Sequence, residues 1–153
     1  MHTVYIGIGS NLGNREENCE WAIRLLIDHG ITVTKRSSMI ETEPWGVREQ
    51  PKFINMAVEI ETEHEPEELL CILKKIELEA GRLPTSHWGP RIVDLDILLY
   101  DDLIMESPDL VIPHPGMSER EFVLKPLAEI APEKIHPVVG KSIRELLVAC
   151  RKL

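Results

Sequence analysis

The chain has 153 residues, 43% of them hydrophobic, enough for one folded domain with a real core rather than a disordered segment. Its formal net charge of −9 argues against broad nucleic-acid binding and against an acidic membrane surface, so an anionic ligand would need a local cluster of positive side chains. No apolar run approaches membrane-spanning length, no leader-like pattern opens the chain, and Cys19, Cys71 and Cys150 form no Cys-x-x-Cys pair. The expectation is a single domain, residues 1–153, in a reducing cytoplasm.

Thr3 to Gly9 is a short β-rich run, stopped by Gly9-Ser10-Asn11. Asn14 with Glu17 three residues later predicts a helix start, and Cys19, Ala22, Ile23 and Leu26 follow at the helical period until Gly30. Ile31 to Thr42 reads as a second strand. Phe53 to Thr62 alternates cleanly, with Ile54, Met56, Val58 and Ile60 on one face and Phe53, Asn55, Ala57 and Glu59 on the other. Pro66 fits a first helical position, and Leu69, Ile72, Leu73, Ile76 and Ala80 repeat at helical spacing up to Gly81. The next strand ends at Tyr100. This order, β-α-β-β-α-β, predicts a ferredoxin-like α/β core with a mostly antiparallel sheet between layers of helices. Short extended pieces at Leu103–Ile104 and Leu110–Ile112 and helices over Phe122–Ala131 and Ser142–Cys150 complete the chain.

The stretch from His87 to Tyr100 carries the chemistry. Side chains alternate along a strand, so Val93, Leu95, Ile97 and Leu99 share a core-seeking face. Asp94 and Asp96 share the other, with Leu98 beyond them. Residues two apart lie roughly 6.5–7 Å apart, so two carboxylates converge on a common centre. They repel unless a cation or proton lies between them, and hard oxygen ligands with room for water and phosphate oxygens suit Mg²⁺. Arg91 and His87 flank a Trp-Gly-Pro turn just upstream, placing positive charge where a polyphosphate would need it.

Other patterns carry less. Gly7-x-Gly9-x-x-x-Gly13 is one residue too long for the dinucleotide-binding fingerprint and reads as a tight turn before a helix. Phe53 and Asn55 lie opposite the aliphatic stripe, where an aromatic ring could stack on a heterocycle and an amide could meet its polar edge. Lys74 and Glu77, three apart, read as a pair on a helix surface.

Phe53-Ile54-Asn55, Trp88-Gly89-Pro90-Arg91-Ile92-Val93-Asp94-Leu95-Asp96, Pro113-His114, and Arg120 with Phe122 together resemble the 6-hydroxymethyl-7,8-dihydropterin pyrophosphokinases of folate synthesis. The resemblance runs from Tyr5 to about Pro132 and is most specific over His87–Leu98. It implies a ferredoxin-like α/β/α fold and transfer of an intact diphosphate from ATP to the pterin hydroxymethyl oxygen, with AMP leaving. By that similarity Asp94 and Asp96 hold two Mg²⁺ ions. Phe53 and Phe122 sandwich the pterin, Asn55 reads its polar edge, and Thr42, Glu43 and Trp45 add backbone contacts. Arg82 and Arg91 clamp phosphate, and His87, Trp88, Ile97, His114 and Arg120 line the ATP site, with Glu77 near the nucleoside. The catalytic set so implied is Arg82, Arg91 and Asp96. Arg82, His87, Arg91, His114 and Arg120 form the basic cluster that the net charge demands, and loops 43–52 and 82–91 are expected to close over the substrates and exclude water. The implied partners are small molecules, with no nucleic acid, no membrane and a monomeric chain. Two other classes remain open at this point: a nucleotidyltransferase, disfavoured because Gly9-Ser10 lies far from the acids, and a non-catalytic ferredoxin-like sensor.

Overall fold

The computed structural model describes residues 1–42, 52–81 and 92–152. In chain order the elements are β1 (His2–Ser10), α1 (Arg15–Asp28), β2 (Thr32–Arg36), β3 (Ile40–Thr42), β4 (Phe53–Thr62), α2 (Pro66–Ala80), β5 (Asp94–Tyr100), β6 (Met105–Glu106), β7 (Val111–Ile112), α3 (Glu121–Ile130) and α4 (Ile143–Arg151). A single 3-10 turn, Met117–Glu119, precedes α3.

The helix starts follow local chemistry. Asn14 Oδ1 accepts the Glu17 N–H at 3.1 Å, and Ser142 with Glu145 closes a reciprocal capping pair on α4. Pro66 begins α2, where its missing N–H costs nothing. Gly30, at φ +82°, takes the left-handed conformation that ends α1.

The main sheet runs β2-β4-β1-β5, with β3 also paired to β4, and every pairing is antiparallel. This is the ferredoxin-like order, with the second predicted strand divided into β2 and β3. The break falls at Ser37, whose hydroxyl accepts the Ala57 N–H at 2.9 Å while its own N–H donates to the Ala57 carbonyl. Leu103–Ile104 lies in no strand; the small second sheet instead pairs β6 with β7.

Helices α1 and α2 cover one face. Val4, Ile6 and Ile8 of β1, the four aliphatic residues of β4, and Val93, Leu95 and Ile97 pack against them as one buried cluster. Each such side chain, fully buried, contributes about 1.5–3 kcal/mol. Helices α3 and α4 lie on the other face, where Tyr5, Ala57, Leu98 and Leu99 meet Leu124, Leu127, Ile143 and Leu146.

One facing differs from expectation. Tyr5 pairs with Leu99 but Ile6 pairs with Ile97, so Leu98 is an extra residue in β5. Beyond it the alternation changes phase. Leu99 joins Leu98 on the α3–α4 face, and Tyr100 turns into the α1–α2 core. Strict alternation could not have foreseen a bulge created by pairing with a distant strand.

Candidate active site

The α3–α4 layer covers only part of its sheet face. Over the uncovered part lies a cleft of about 790 Å³. Its floor is β1, which presents Gly7 and Gly9. On one side Gly9 pairs with Asn55 and Gly7 with Ala57; on the other Gly9 pairs with Asp94 and Gly7 with Asp96. Directly paired residues share a face, so a row holding an amide faces a row of two carboxylates across a stretch of β1 that carries no side chain on this face at Gly7 and Gly9. Two strand spacings make this gap roughly 9.5 Å, wide enough for a flat ligand. The glycines therefore belong to a strand and not to the turn the sequence reading predicted; only Gly13, at φ +67°, lies in that turn.

The acid row is held from behind. Leu95, between the two acids, is 1% exposed in the core. Its N–H is not spent on β1 but donates to Glu77 Oε2 at 2.8 Å. Glu77 is thus no surface residue: it is 4% exposed, with Lys74 Nζ 3.3 Å from its other oxygen. The approach to β5 is fixed by the buried Ser10, whose hydroxyl donates to the Ile92 carbonyl at 2.5 Å. Asn18 Nδ2 donates to that same hydroxyl at 3.2 Å and to the Leu12 carbonyl at 2.7 Å. Asp94 is half-buried and Asp96 exposed. Among the described residues no cluster of three or more His, Cys, Asp or Glu side chains could hold a metal.

The amide row comes from β3 and β4. Asn55 Nδ2 donates to Thr42 Oγ1 at 2.8 Å, and Phe53 and Phe122 both line the cleft. Phe122 is carried by the first turn of α3. That helix is tied to the β2–β3 link by Glu129, which accepts from the Ser38 N–H at 3.0 Å and its hydroxyl at 2.7 Å. His114 donates its N–H to the Leu98 carbonyl at 3.0 Å. Its Nδ1 is the one buried side-chain polar atom among the described residues with no hydrogen-bond partner. The Arg120 guanidinium lies against Gly116, at a place where a Cβ would come within 3.4 Å of it. Lower on the same face burial, reinforced by Glu59 accepting the hydroxyl at 2.7 Å, pushes the Tyr5 phenol above its ordinary range.

Of the residues singled out from the sequence, Thr42, Phe53, Asn55, Asp94, Asp96, His114, Arg120 and Phe122 line this one cleft. Glu77 and Ile97 do not; Ile97, 3% exposed, belongs to the core on the opposite face. Glu43, Trp45, Arg82, His87, Trp88 and Arg91, with most of the two loops that carry them, lie outside the described residues. Gly7, Gly9 and Ser10 were missed as site-building residues. The available signal was two glycines at alternate positions of a strand, which leave a bare track on one face.

A family model for 7,8-dihydro-6-hydroxymethylpterin-pyrophosphokinase matches residues 5–132. The chain belongs to this family. It is 52% identical over 128 residues to a Bacillus subtilis protein named 2-amino-4-hydroxy-6-hydroxymethyldihydropteridine pyrophosphokinase, covering 83% of this chain and 77% of that one. An Aquifex aeolicus protein of the same name is 41% identical over 145 residues, covering 95% and 90%. A solved Plasmodium falciparum HPPK-DHPS chain superposes with a TM-score of 0.79 over 97% of this chain at 16% identity, a likeness of fold. This chain spans 45% of that longer one. No described helix is long and apolar enough to cross a membrane.

Proposed function

We propose that the cleft over Gly7 and Gly9 is where the family reaction takes place: diphosphate passes from ATP to 6-hydroxymethyl-7,8-dihydropterin, in the synthesis of folate. The chain is a pyrophosphokinase by family. The observation that carries the reading is the facing of two rows across the bare stretch of β1, Asn55 with two aromatic rings on one side and Asp94 with Asp96 on the other.

In this reading the pterin lies between Phe53 and Phe122, with the Asn55 amide at its polar edge and the backbone of Thr42, Glu43 and Trp45 completing the contacts. Ring stacking holds the heterocycle and hydrogen bonds orient it, so that its hydroxymethyl oxygen points along the floor toward the acid row. That oxygen forms a bond to the β-phosphorus as the bond from the β-phosphorus to the α,β-bridging oxygen breaks. AMP leaves and the hydroxyl proton is released. Asp94 and Asp96 would hold Mg²⁺, in a set completed by phosphate oxygens and water, and the number of ions we assign is two. Bound there, the metal would neutralise charge on the polyphosphate. Arg82 and Arg91 would clamp the transferred group, with Arg91 and Asp96 nearest the chemistry. Catalysis of this kind is chiefly positioning and charge stabilisation.

His114 and Arg120 would face the nucleotide with His87 and Trp88, and the unpartnered Nδ1 of His114 supports a ligand there. Glu77, which reaches from α2 to the backbone of β5, and Ile97, which points into the α1–α2 core, would meet ATP only along the outer edge of β5. We also take residues 1–153 as one domain, because both buried clusters are built on a single sheet, and read the chain as a cytoplasmic monomer with small-molecule partners and no nucleic acid. Its free thiols, Cys19, Cys71 and Cys150, accord with a reducing compartment.

The test is product analysis with Mg-ATP and the reduced hydroxymethylpterin. AMP appearing in step with a pterin diphosphate is the expected result. ADP, or pterin binding without nucleotide turnover, would refute the reading.

A further inference from the structure

We infer that Thr42 and Gly9 together set the orientation of the Asn55 amide, and that the Thr42 hydroxyl is therefore a specificity-determining group of the pterin site. The inference rests on the reading of Asn55 as the residue that meets the pterin edge.

The amide is held at both ends. Its nitrogen donates to Thr42 Oγ1 at 2.8 Å, across the β3–β4 pairing. Its oxygen lies over Gly9, so close that a Cβ built on Gly9 would come within 2.8 Å of Oδ1. Only a Cα hydrogen points that way from glycine. A carbonyl oxygen accepts a weak contact from such a hydrogen, whereas an NH₂ group would meet it hydrogen against hydrogen. The Gly9 contact thus favours the oxygen on its side, and the Thr42 hydroxyl, which can accept as well as donate, holds the nitrogen on the other. A primary amide has two N–H donors and an oxygen with two lone pairs. With one donor spent on Thr42 and one lone pair turned to Gly9, it keeps one N–H and one lone pair for the cleft.

An adjacent donor and acceptor matches a ring edge that presents an acceptor beside a donor, as a cyclic amide or amidine does. A flipped amide would present the pair in reverse order and leave buried polar groups unpaired, which discriminates far more strongly than shape. In this site Thr42 positions Asn55 and need not touch the ligand with its side chain.

The test is steady-state kinetics with reduced hydroxymethylpterin and Mg-ATP on Thr42→Val, Thr42→Ser, Gly9→Ala, Asn55→Ala and the double variant Thr42→Val/Asn55→Ala. Thr42→Val keeps the shape of the side chain and its backbone but removes the hydroxyl. It should raise KM for the pterin about tenfold and leave KM for ATP within about twofold, and Thr42→Ser should recover most of the loss. Gly9→Ala should reproduce the pterin defect by displacing Oδ1, from a different strand. In the Asn55→Ala background Thr42→Val should add nothing further, because its effect runs through the missing amide. An unchanged pterin KM in Thr42→Val, or the same penalty with and without Asn55, overturns the inference. A large defect in Asn55→Ala beside a silent Thr42→Val overturns the inference alone. An unchanged pterin KM in Asn55→Ala removes the underlying site reading as well.

Discussion

Glu77 on α2 accepts the backbone N–H of Leu95 at 2.8 Å, so a buried carboxylate of the helix layer holds the strand residue between Asp94 and Asp96. Asp94 and Asp96 can converge only if β5 keeps its place at the sheet edge, and Glu77 supplies an acceptor there that β1 does not. Glu77→Ala leaves that N–H buried without a partner, at a cost of about 1–3 kcal/mol, or roughly 5 °C in Tm for a chain of this size. Glu77→Gln keeps an acceptor oxygen and should lose clearly less. Thermal unfolding checks this, and equal melting temperatures for the Ala variant and the unsubstituted protein would remove the strut.

Asp96 is exposed on the cleft face. Asp96→Asn should therefore fold and melt like the unsubstituted protein while AMP formation falls on the order of 10²–10³-fold, the usual loss when a key electrostatic group is removed. A variant with near-normal turnover at saturating Mg-ATP would take Asp96 out of the chemistry.

Gly7 has space for a methyl group, since a Cβ there would meet Leu98 at an ordinary 3.4 Å. Anything larger must rise into the cleft between Ala57 and Asp96. Gly7→Val should keep the β1 pairing and lose activity at least about tenfold, because a branched side chain occupies the track that the substrates share. Circular dichroism and turnover measured together decide it; full activity would mean that substrates do not cross β1 at this level.

His136 is 5% exposed, and its Nδ1 accepts the N–H groups of Val138 at 3.2 Å and Val139 at 3.1 Å. That role requires the neutral ring. Burial pushes its pKa below the ordinary 6.5, against a backbone hydrogen bond that acts the other way. The folded state thus binds fewer protons than the unfolded one near this pH. The stability from His136 is present above the ordinary histidine value and is lost as pH falls through the lowered folded value. Between about pH 7.5 and 5.5 the unsubstituted protein should lose more Tm than His136→Asn does. Parallel pH profiles for the two proteins would contradict this.

The Cys19 thiol is buried, and burial, with the charge of Glu20 as a smaller contribution, pushes it up to about 11. Cys71 is exposed and Cys150 half-exposed. A maleimide in mild excess should label Cys71 first, then Cys150, and reach Cys19 only after denaturation. Peptide mapping of the labelled chain reads this order, and early labelling of Cys19 would show that α1 opens in the native state.

Local chemistry is legible along the chain wherever an element depends on its own residues. Asn14, Pro66 and Ser142 mark helix starts through groups within one turn. The Phe53–Thr62 alternation predicts a strand because both its faces are used, one by aliphatic core and the other by Phe53 and Asn55. Asp94 and Asp96 share a face by the period of a strand alone. What pairing decides is not visible that way. The extra residue at Leu98 arises from the register with β1 and sends Leu99 to the face opposite the one predicted. Glu77 and Lys74 look like a surface pair until α2 packs against β5 and buries one of them.

By itself, then, the order of residues determined the alternation of strands and helices, the ends of several helices and the side of β5 on which its acids stand, because these follow from neighbours within one turn or one pleat. The tertiary structure alone decided that Gly7 and Gly9 form a bare floor, that Asn55 lies across it from Asp94, and that Thr42 and Gly9 hold the Asn55 amide between them. Each of these relations joins strands distant in the chain, and only their hydrogen-bonded register determines which side chains meet.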